Sequence, residues 1–212
     1  HECQKQGVAA SEPFELYEEP LKRKGPRPHH DLLKTDVQQR LLDLILRSAV
    51  NMFWLSPPCA TYSDLQTLNG GTRTFRNPEG TNVRADERAA NMLTEFMAKM
   101  IKLIVQQGKL FVYEQPLPSG MYPKSVDVKV FLSALMDINA HVTPGSMCMF
   151  GVSPSDQPDA RYRKHFMLIY PPELHPFMLP FFKKCDGSHR HVAVFDSVTG
   201  SSMKRSTEAG IY

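Results

Sequence analysis

The chain has 212 residues, 42% of them hydrophobic, and a formal net charge of +3. That length and apolar content exclude a disordered tail and fit one domain with at most an appended module. There is no run of about eighteen apolar residues to cross a membrane, the four unevenly spaced cysteines do not form a secreted disulfide framework, and the small net charge does not by itself imply a nucleic-acid partner. The expectation is an intracellular protein, nuclear or cytoplasmic, with no visible signal peptide. Its basic clusters, Lys22, Arg23, Lys24 and Arg27, then Arg161, Arg163 and Lys164, read equally well as solvated surface.

Along the chain, Pro13 to Tyr17 reads as a short strand. Val37 to Leu46 reads as an amphipathic helix with Leu41, Leu42, Ile45 and Leu46 on one side and Asp36 or Thr35 as its cap. Val50 to Leu55 is an apolar strand that runs into Ser56-Pro57-Pro58-Cys59. Residues 61–83 are rich in Gly, Asn, Thr and Arg without an apolar period, a loop long enough to be functional or disordered. A long helix follows, Ala85 to Gln107, with a buried face of Met92, Leu93, Phe96, Met97, Met100, Ile101, Ile104 and Val105. Those methionines belong to the core rather than to a cofactor contact. Gly108 ends the helix, and Lys109 to Tyr113 is the next strand, closed by Glu114-Gln115-Pro116. Val126 to Leu135 is helical, and His141 to Thr143 and Phe166 to Tyr170 are strands. This alternation predicts an α/β fold, a doubly wound, mostly parallel sheet with helices on both faces. There is no internal repeat.

Ligand sites in open α/β sheets gather at the carboxyl ends of strands. Here two successive core strands end in a thiol, Cys59, and a carboxylate, Glu114. An ionised Glu114 would raise the thiol pKa, which makes a plain cysteine hydrolase awkward. Such an enzyme would also want a nearby histidine, and the nearest in sequence are His29 and His30. A thiol adding to C6 of a pyrimidine has the opposite need. A carboxyl group at N3 of the same ring stabilises the negative charge that the addition creates and makes C5 nucleophilic.

These motifs resemble those of the DNA cytosine-5 methyltransferases. Pro58-Cys59-Ala60-Thr61-Tyr62-Ser63 is similar to their Pro-Cys-Gln motif, Glu114-Gln115-Pro116 to their Glu-Asn-Val motif, and Arg161-Tyr162-Arg163-Lys164 to their Gln-x-Arg-x-Arg motif. Upstream, Gly7 to Glu15 resembles the segment whose acidic residue binds the ribose of S-adenosylmethionine, and His30-Asp31-Leu32 resembles Gly-Asp-Ile, whose aspartate contacts the adenine. The resemblance spans roughly Gly7 to Tyr170 and is closer still to divergent methylase-like domains of viral and mobile-element polyproteins. It implies a Rossmann-like methyltransferase fold with S-adenosylmethionine as cofactor and DNA as partner. Cys59 would attack C6 of a flipped cytosine, Glu114 would bind N3, and Arg163 would steady the loop and substrate. Glu15, Asp31 and Pro57 would hold the cofactor. Ala60 and Gln115 stand where the family has Gln and Asn. The glycine-rich cofactor loop expected before Gly7 is absent, so the expectation is an N-terminally truncated piece of a longer polypeptide that binds cofactor poorly. Residues 1–170 would then be a partial methyltransferase-like domain and 171–212 a C-terminal tail. The rival expectation is a catalytically silent nucleic-acid-binding or scaffold domain of a larger polyprotein.

One further cluster stands apart. Cys185-Asp186-Gly187-Ser188-His189-Arg190-His191 places one thiol and two imidazoles within seven residues, and Cys148 lies upstream. Cys148, Cys185, His189 and His191 make a Cys2His2 set of the kind that suits structural zinc, although the spacing is not that of a standard zinc finger. A polar turn beside a buried thiol is the plainer reading.

Overall fold

The structure is a computed structural model and describes residues 17–19, 24–26, 31–62, 64–117, 124–155 and 157–192. Among these residues the chain falls into two compact units, one ending at Leu41 and one starting at Leu42. The first contains an antiparallel pair, β1 (Tyr17–Glu19) and β2 (Lys24–Pro26), with Tyr17 opposite Pro26. The expected strand from Pro13 lies outside the described residues except for Tyr17, which opens β1.

Helix α1 (Thr35–Arg47) runs from the first unit into the second. Asp36 sits in its first turn, where a carboxylate complements the helix dipole. Val37, Leu41, Leu42 and Ile45 are buried, one apolar stripe, whereas Leu46 is 45% exposed and lies off it. At the other end the Lys109 ammonium donates to the carbonyls of Ile45 and Ser48. A cation thus satisfies acceptors that the last turn leaves open.

The second unit continues with β3 (Met52–Leu55), α2 (Ala85–Gln106), β4 (Leu110–Leu117), α3 (Lys129–Asp137), β5 (His141–Ser146), β6 (Ala160–Tyr162), β7 (His165–Tyr170), α4 (His175–Met178) and β8 (Arg190–Val192). Four of these strands form one mixed sheet in the order β3-β4-β7-β5. β3 and β4 are parallel, in register from Met52 opposite Leu110 to Leu55 opposite Tyr113, with α2 in the crossover. β7 runs antiparallel to β4 and to β5 and lies between them. Three strands therefore share one direction and β7 opposes them. The reason lies in the connections. Parallel neighbours need a crossover of a dozen or more residues, usually a helix, and between β5 and β7 the chain makes only a 3₁₀ turn (Met147–Phe150) and the short β6. It returns antiparallel, Ser146 opposite His165.

β7 occupies an interior position and is buried from Phe166 to Tyr170. β5, at the sheet's edge, accommodates Pro144, and β4 carries Pro116 in the stretch that has no β3 neighbour. Gly145 of β5 lies under the Phe166 ring, and a side chain there would collide with the ring and with the Phe181 carbonyl.

Helix α2 buries Phe96, Met97, Met100, Ile101 and Ile104 as the apolar period predicts. Met92 is 52% exposed instead. The first half of the buried face is polar, Glu87, Asn91 and Thr94, because the loop that precedes the helix packs there. The helix stops as predicted at Gly108, φ +66°. The Gly108 N–H donates to Val105 O and the Lys109 N–H to Ile104 O, which is the Schellman pattern. One consequence places the site: β3 ends at Leu55, opposite Tyr113, whereas β4 runs four residues further, paired on the β7 side alone. Glu114 is the first residue of that overhang.

Candidate functional site

The chain leaves β3 through Ser56-Pro57-Pro58-Cys59, and the two prolines fix its φ angles. Gln115, fully buried in the overhang of β4, donates through Nε2 to the Pro57 carbonyl at 3.0 Å and accepts from the Ser125 hydroxyl at 3.3 Å. The Tyr62 N–H donates to the Cys59 carbonyl at 2.9 Å and closes the 3₁₀ turn Ala60–Tyr62. Cys59 is thus held from both sides, and its free thiol is half-buried.

Glu114 lies within electrostatic reach of that thiol. Its carboxyl group hydrogen-bonds the Ser56 hydroxyl, whose oxygen in turn accepts from Trp54 Nε1 at 3.1 Å. Its second oxygen, Oε1, is buried and has no hydrogen-bond partner among the described residues, and the hydroxyl of Thr61 in the Cys59 turn is in the same state. Burial pushes the Glu114 carboxyl above the ordinary glutamate range, while Lys164 and the Ser56 hydrogen bond act in the opposite sense without overcoming it. Cys59 is raised by burial first and by Glu114 second, and lowered by Lys164. Both groups therefore hold their protons more firmly than in water. Among the described residues the charged groups acting on Cys59 are Glu114 and Lys164.

The loop behind Cys59 is ordered by a polar cluster that periodicity does not reveal. The Arg73 guanidinium, 4% exposed, stacks 3.9 Å over the Tyr62 ring and donates to Asn91 Oδ1 and the Glu87 carbonyl, both at 2.8 Å. The Tyr62 hydroxyl pairs with Thr94 Oγ1 at 2.7 Å. The Glu87 carboxylate receives the Thr72 N–H at 2.7 Å and its hydroxyl. Three acceptors thus receive the terminal nitrogens of this buried cation, among the described residues leaving its Nε without a partner. The residues 61–83 that read as a loop are thereby fixed to α2.

The other predicted residues fall as follows. Asp31 accepts the Leu33 N–H through Oδ1 at 3.0 Å and the Lys34 N–H through its carbonyl, in the turn before α1. Pro57 carries the carbonyl that Gln115 grips. Glu15, His29 and His30 lie outside the described residues. Arg163 pairs through its N–H with the Val192 carbonyl at 2.9 Å, and its charge acts on His165 and His191. Arg161 donates through Nη1 to the Cys148 carbonyl at 2.8 Å. The cation that acts on both Cys59 and Glu114 is their neighbour Lys164. Neither Lys164 nor Gln115 was given a role from the sequence. Gln115 stood out only as the residue in place of the family's Asn, and Lys164 looks like one more charge in a basic run.

The Cys/His set does assemble. The ligand atoms of Cys148, Cys185, His189 and His191 all lie within 4.8 Å of one another. Cys185 Sγ is 3.7 Å from His189 Nε2 and 3.3 Å from His191 Nε2, and the two Nε2 atoms are 3.0 Å apart. Cys148 is buried, and the other three are half-buried. Burial first and the adjacent Cys185 second push the Cys148 thiol up to about 11. The set spans both sides of residue 170, so the tail is tied to the segment after β5.

Among the described residues no helix is long and apolar enough to cross a membrane. No family model, no curated protein and no solved structure matches the chain.

Proposed function

We propose that this chain is a methyltransferase-type domain that acts on C5 of cytosine in DNA, built on a doubly wound, Rossmann-like sheet. One observation carries the reading: a carboxyl group with a buried, unpaired oxygen within electrostatic reach of a thiol, where β4 overhangs the end of its parallel neighbour β3. An orphaned buried carboxyl oxygen is costly unless something arrives to pair with it. A flipped pyrimidine ring fits, because it presents N3 to an acid and C6 to a nucleophile together.

The chemistry follows from the two raised pKa values. Glu114, whose carboxyl burial pushes above the ordinary glutamate range, can donate its proton to N3, so the charge that develops as Cys59 Sγ adds to C6 is met by that proton. Lys164 favours the thiolate as it forms. C5 then carries the nucleophilic electron pair. Bound S-adenosylmethionine supplies the methyl electrophile. Loss of the C5 proton to water and expulsion of Sγ restore the 5,6 double bond; N3 returns its proton to Glu114, and Sγ regains from solvent the proton it released on adding. Gln115 acts as a positioning residue, since it touches the Pro57 carbonyl and not the reacting atoms.

The residues assigned to the cofactor fit that role separately. Asp31 uses one carboxylate oxygen on the Leu33 N–H and carries a second, and the Pro57 carbonyl keeps a lone pair beside the Gln115 bond. Both are acceptors for amine and hydroxyl donors. Nucleic acid as partner is supported by an exposed aromatic and basic strip. Phe150 lies 6.1 Å from Phe181 with the Lys183 ammonium 5.0 Å over its ring, a surface suited to bases and phosphates.

The test is trapping on a DNA oligonucleotide carrying 5-fluorocytosine, with S-adenosylmethionine present. Fluorine at C5 cannot leave as a proton, so the Cys59 adduct persists and is read by mass spectrometry. The expected result is one adduct that Cys59→Ser abolishes. No adduct, together with no exchange of the C5 hydrogen of unmodified cytosine into heavy water, rejects the reading and leaves a silent nucleic-acid-binding domain.

A further inference from the structure

We infer that Cys148, Cys185, His189 and His191 together bind one zinc ion, which ties the C-terminal segment to the β5–β7 connection. The donor atoms have the geometry for it. With Zn–S near 2.3 Å and Zn–N near 2.05 Å, a tetrahedron has edges of about 3.6 Å between sulfur and nitrogen and about 3.3 Å between two nitrogens. The observed separations of 3.7, 3.3 and 3.0 Å lie within a few tenths of an ångström of those edges. Two imidazole Nε2 atoms 3.0 Å apart and two thiol sulfurs converge on one point. A cation at the centre resolves all four.

The surroundings orient the same atoms. Both histidines present Nε2 to the cluster, and His189 turns Nδ1 toward Ser188 Oγ at 3.5 Å and Asp186 Oδ1 at 3.8 Å. That is the outer partner a metal-bound imidazole requires. The Gly187 N–H, in a turn with φ +74°, donates to Cys185 Sγ at 3.4 Å. Two thiolates and two imidazoles suit a borderline-soft tetrahedral ion and not magnesium or calcium. All four positions are protein side chains, so the ion has no open site and is structural rather than catalytic.

The tie has a defined reach. Cys148 follows Met147, whose N–H donates to the Lys164 carbonyl at 2.9 Å. His191 lies in β8, opposite Arg161 of β6, and the Arg163 N–H donates to Val192 at 2.9 Å. The ion therefore clasps the segment 160–164 from both sides. Lys164, the cation acting on Cys59 and Glu114, is the last residue of that segment.

The experiment is a cobalt(II) titration of the chelator-treated full chain, with zinc measured beforehand by elemental analysis. Expected are one zinc per chain, visible bands of tetrahedral cobalt, and a thiolate-to-cobalt charge-transfer band. Cys185→Ser abolishes the binding and its band, whereas His189→Cys keeps tetrahedral cobalt and strengthens the band. Amide exchange at Met147 and Arg163 rises when the metal is removed. A folded chain with no zinc and no tetrahedral cobalt spectrum overturns the inference, as does a Cys148–Cys185 disulfide in the isolated protein. Exchange at Met147 and Arg163 that ignores the metal overturns the tie.

Discussion

Cys59 and Cys185 are both half-buried thiols, and the groups around them are disposed differently. Beside Cys59 stands an acid with one oxygen unpaired, in a turn held by Gln115 and Tyr62 from behind. Around Cys185 the donors converge on one another, with the Gly187 N–H turned inward as well. The first arrangement leaves hydrogen-bonding capacity open toward a visitor, and the second closes it about a point. The difference teaches that the identity of a cysteine says less than where the leftover valences of its neighbours are aimed.

The largest expected effect separates the two thiols outright. Cys59→Ser abolishes the 5-fluorocytosine adduct and leaves zinc content unchanged, and Cys185→Ser removes the zinc; a variant that does both breaks the comparison. Next, Glu114→Gln slows exchange of the cytosine C5 hydrogen by about a hundredfold or more, the usual contribution of a placed acid. The same change stabilises the fold at neutral pH. The folded-state pKa of Glu114 lies above the ordinary value of 4.5. Its folded form therefore binds the proton more tightly than its unfolded form, and wild-type stability falls as pH rises from that value through the folded one. Urea unfolding below and above that window should show the variant gaining on wild type only above it.

Removing zinc comes third. At a free concentration a thousand times its dissociation constant, a bound ligand contributes about 4 kcal/mol, and chelation should lower the urea midpoint accordingly, with no effect on a chain carrying Cys185→Ser. Gln115→Ala forfeits about 1 kcal/mol for the lost Pro57 contact and slows C5 exchange by about tenfold with zinc retained. The smallest effect is the sharpest in sign. Lys164→Met moves the pH midpoint of Cys59 alkylation upward and Glu114→Gln moves it downward, since the first removes a lowering charge and the second a raising one. Equal shifts in one direction would show that neither group faces the thiol.

Much of this was legible in the residues. The apolar period of α2, its stop at Gly108 and the strand exit toward Cys59 are local signals, and so is the clustering of Cys185, His189 and His191; the second strand, expected to close at Glu114, instead runs on to Leu117 because β7 pairs with it there. Other features were not local. Met92 fits the period, yet the first turns of α2 face Arg73 and Tyr62, a partnership across a loop that no periodicity encodes. The reversed direction of β7 depends on what is missing between β5 and β7, a crossover helix, and not on the residues of β7. Lys164 was indistinguishable from Arg161 and Arg163 because strand phase decides which of three adjacent cations reaches the thiol.

The register of Ser146 against His165 has a practical consequence. The chain departs from the sheet and rejoins it at one point, with the Ser146 hydroxyl and His165 Nδ1 in contact at 2.9 Å. Lengthening such an excursion leaves both ends in place, and doubling a flexible loop adds only about 0.6 kcal/mol of closure entropy. Ser155, exposed near the middle of residues 147–164, is therefore a natural port for grafting a peptide tag or a reporter domain while strand pairing on either side persists.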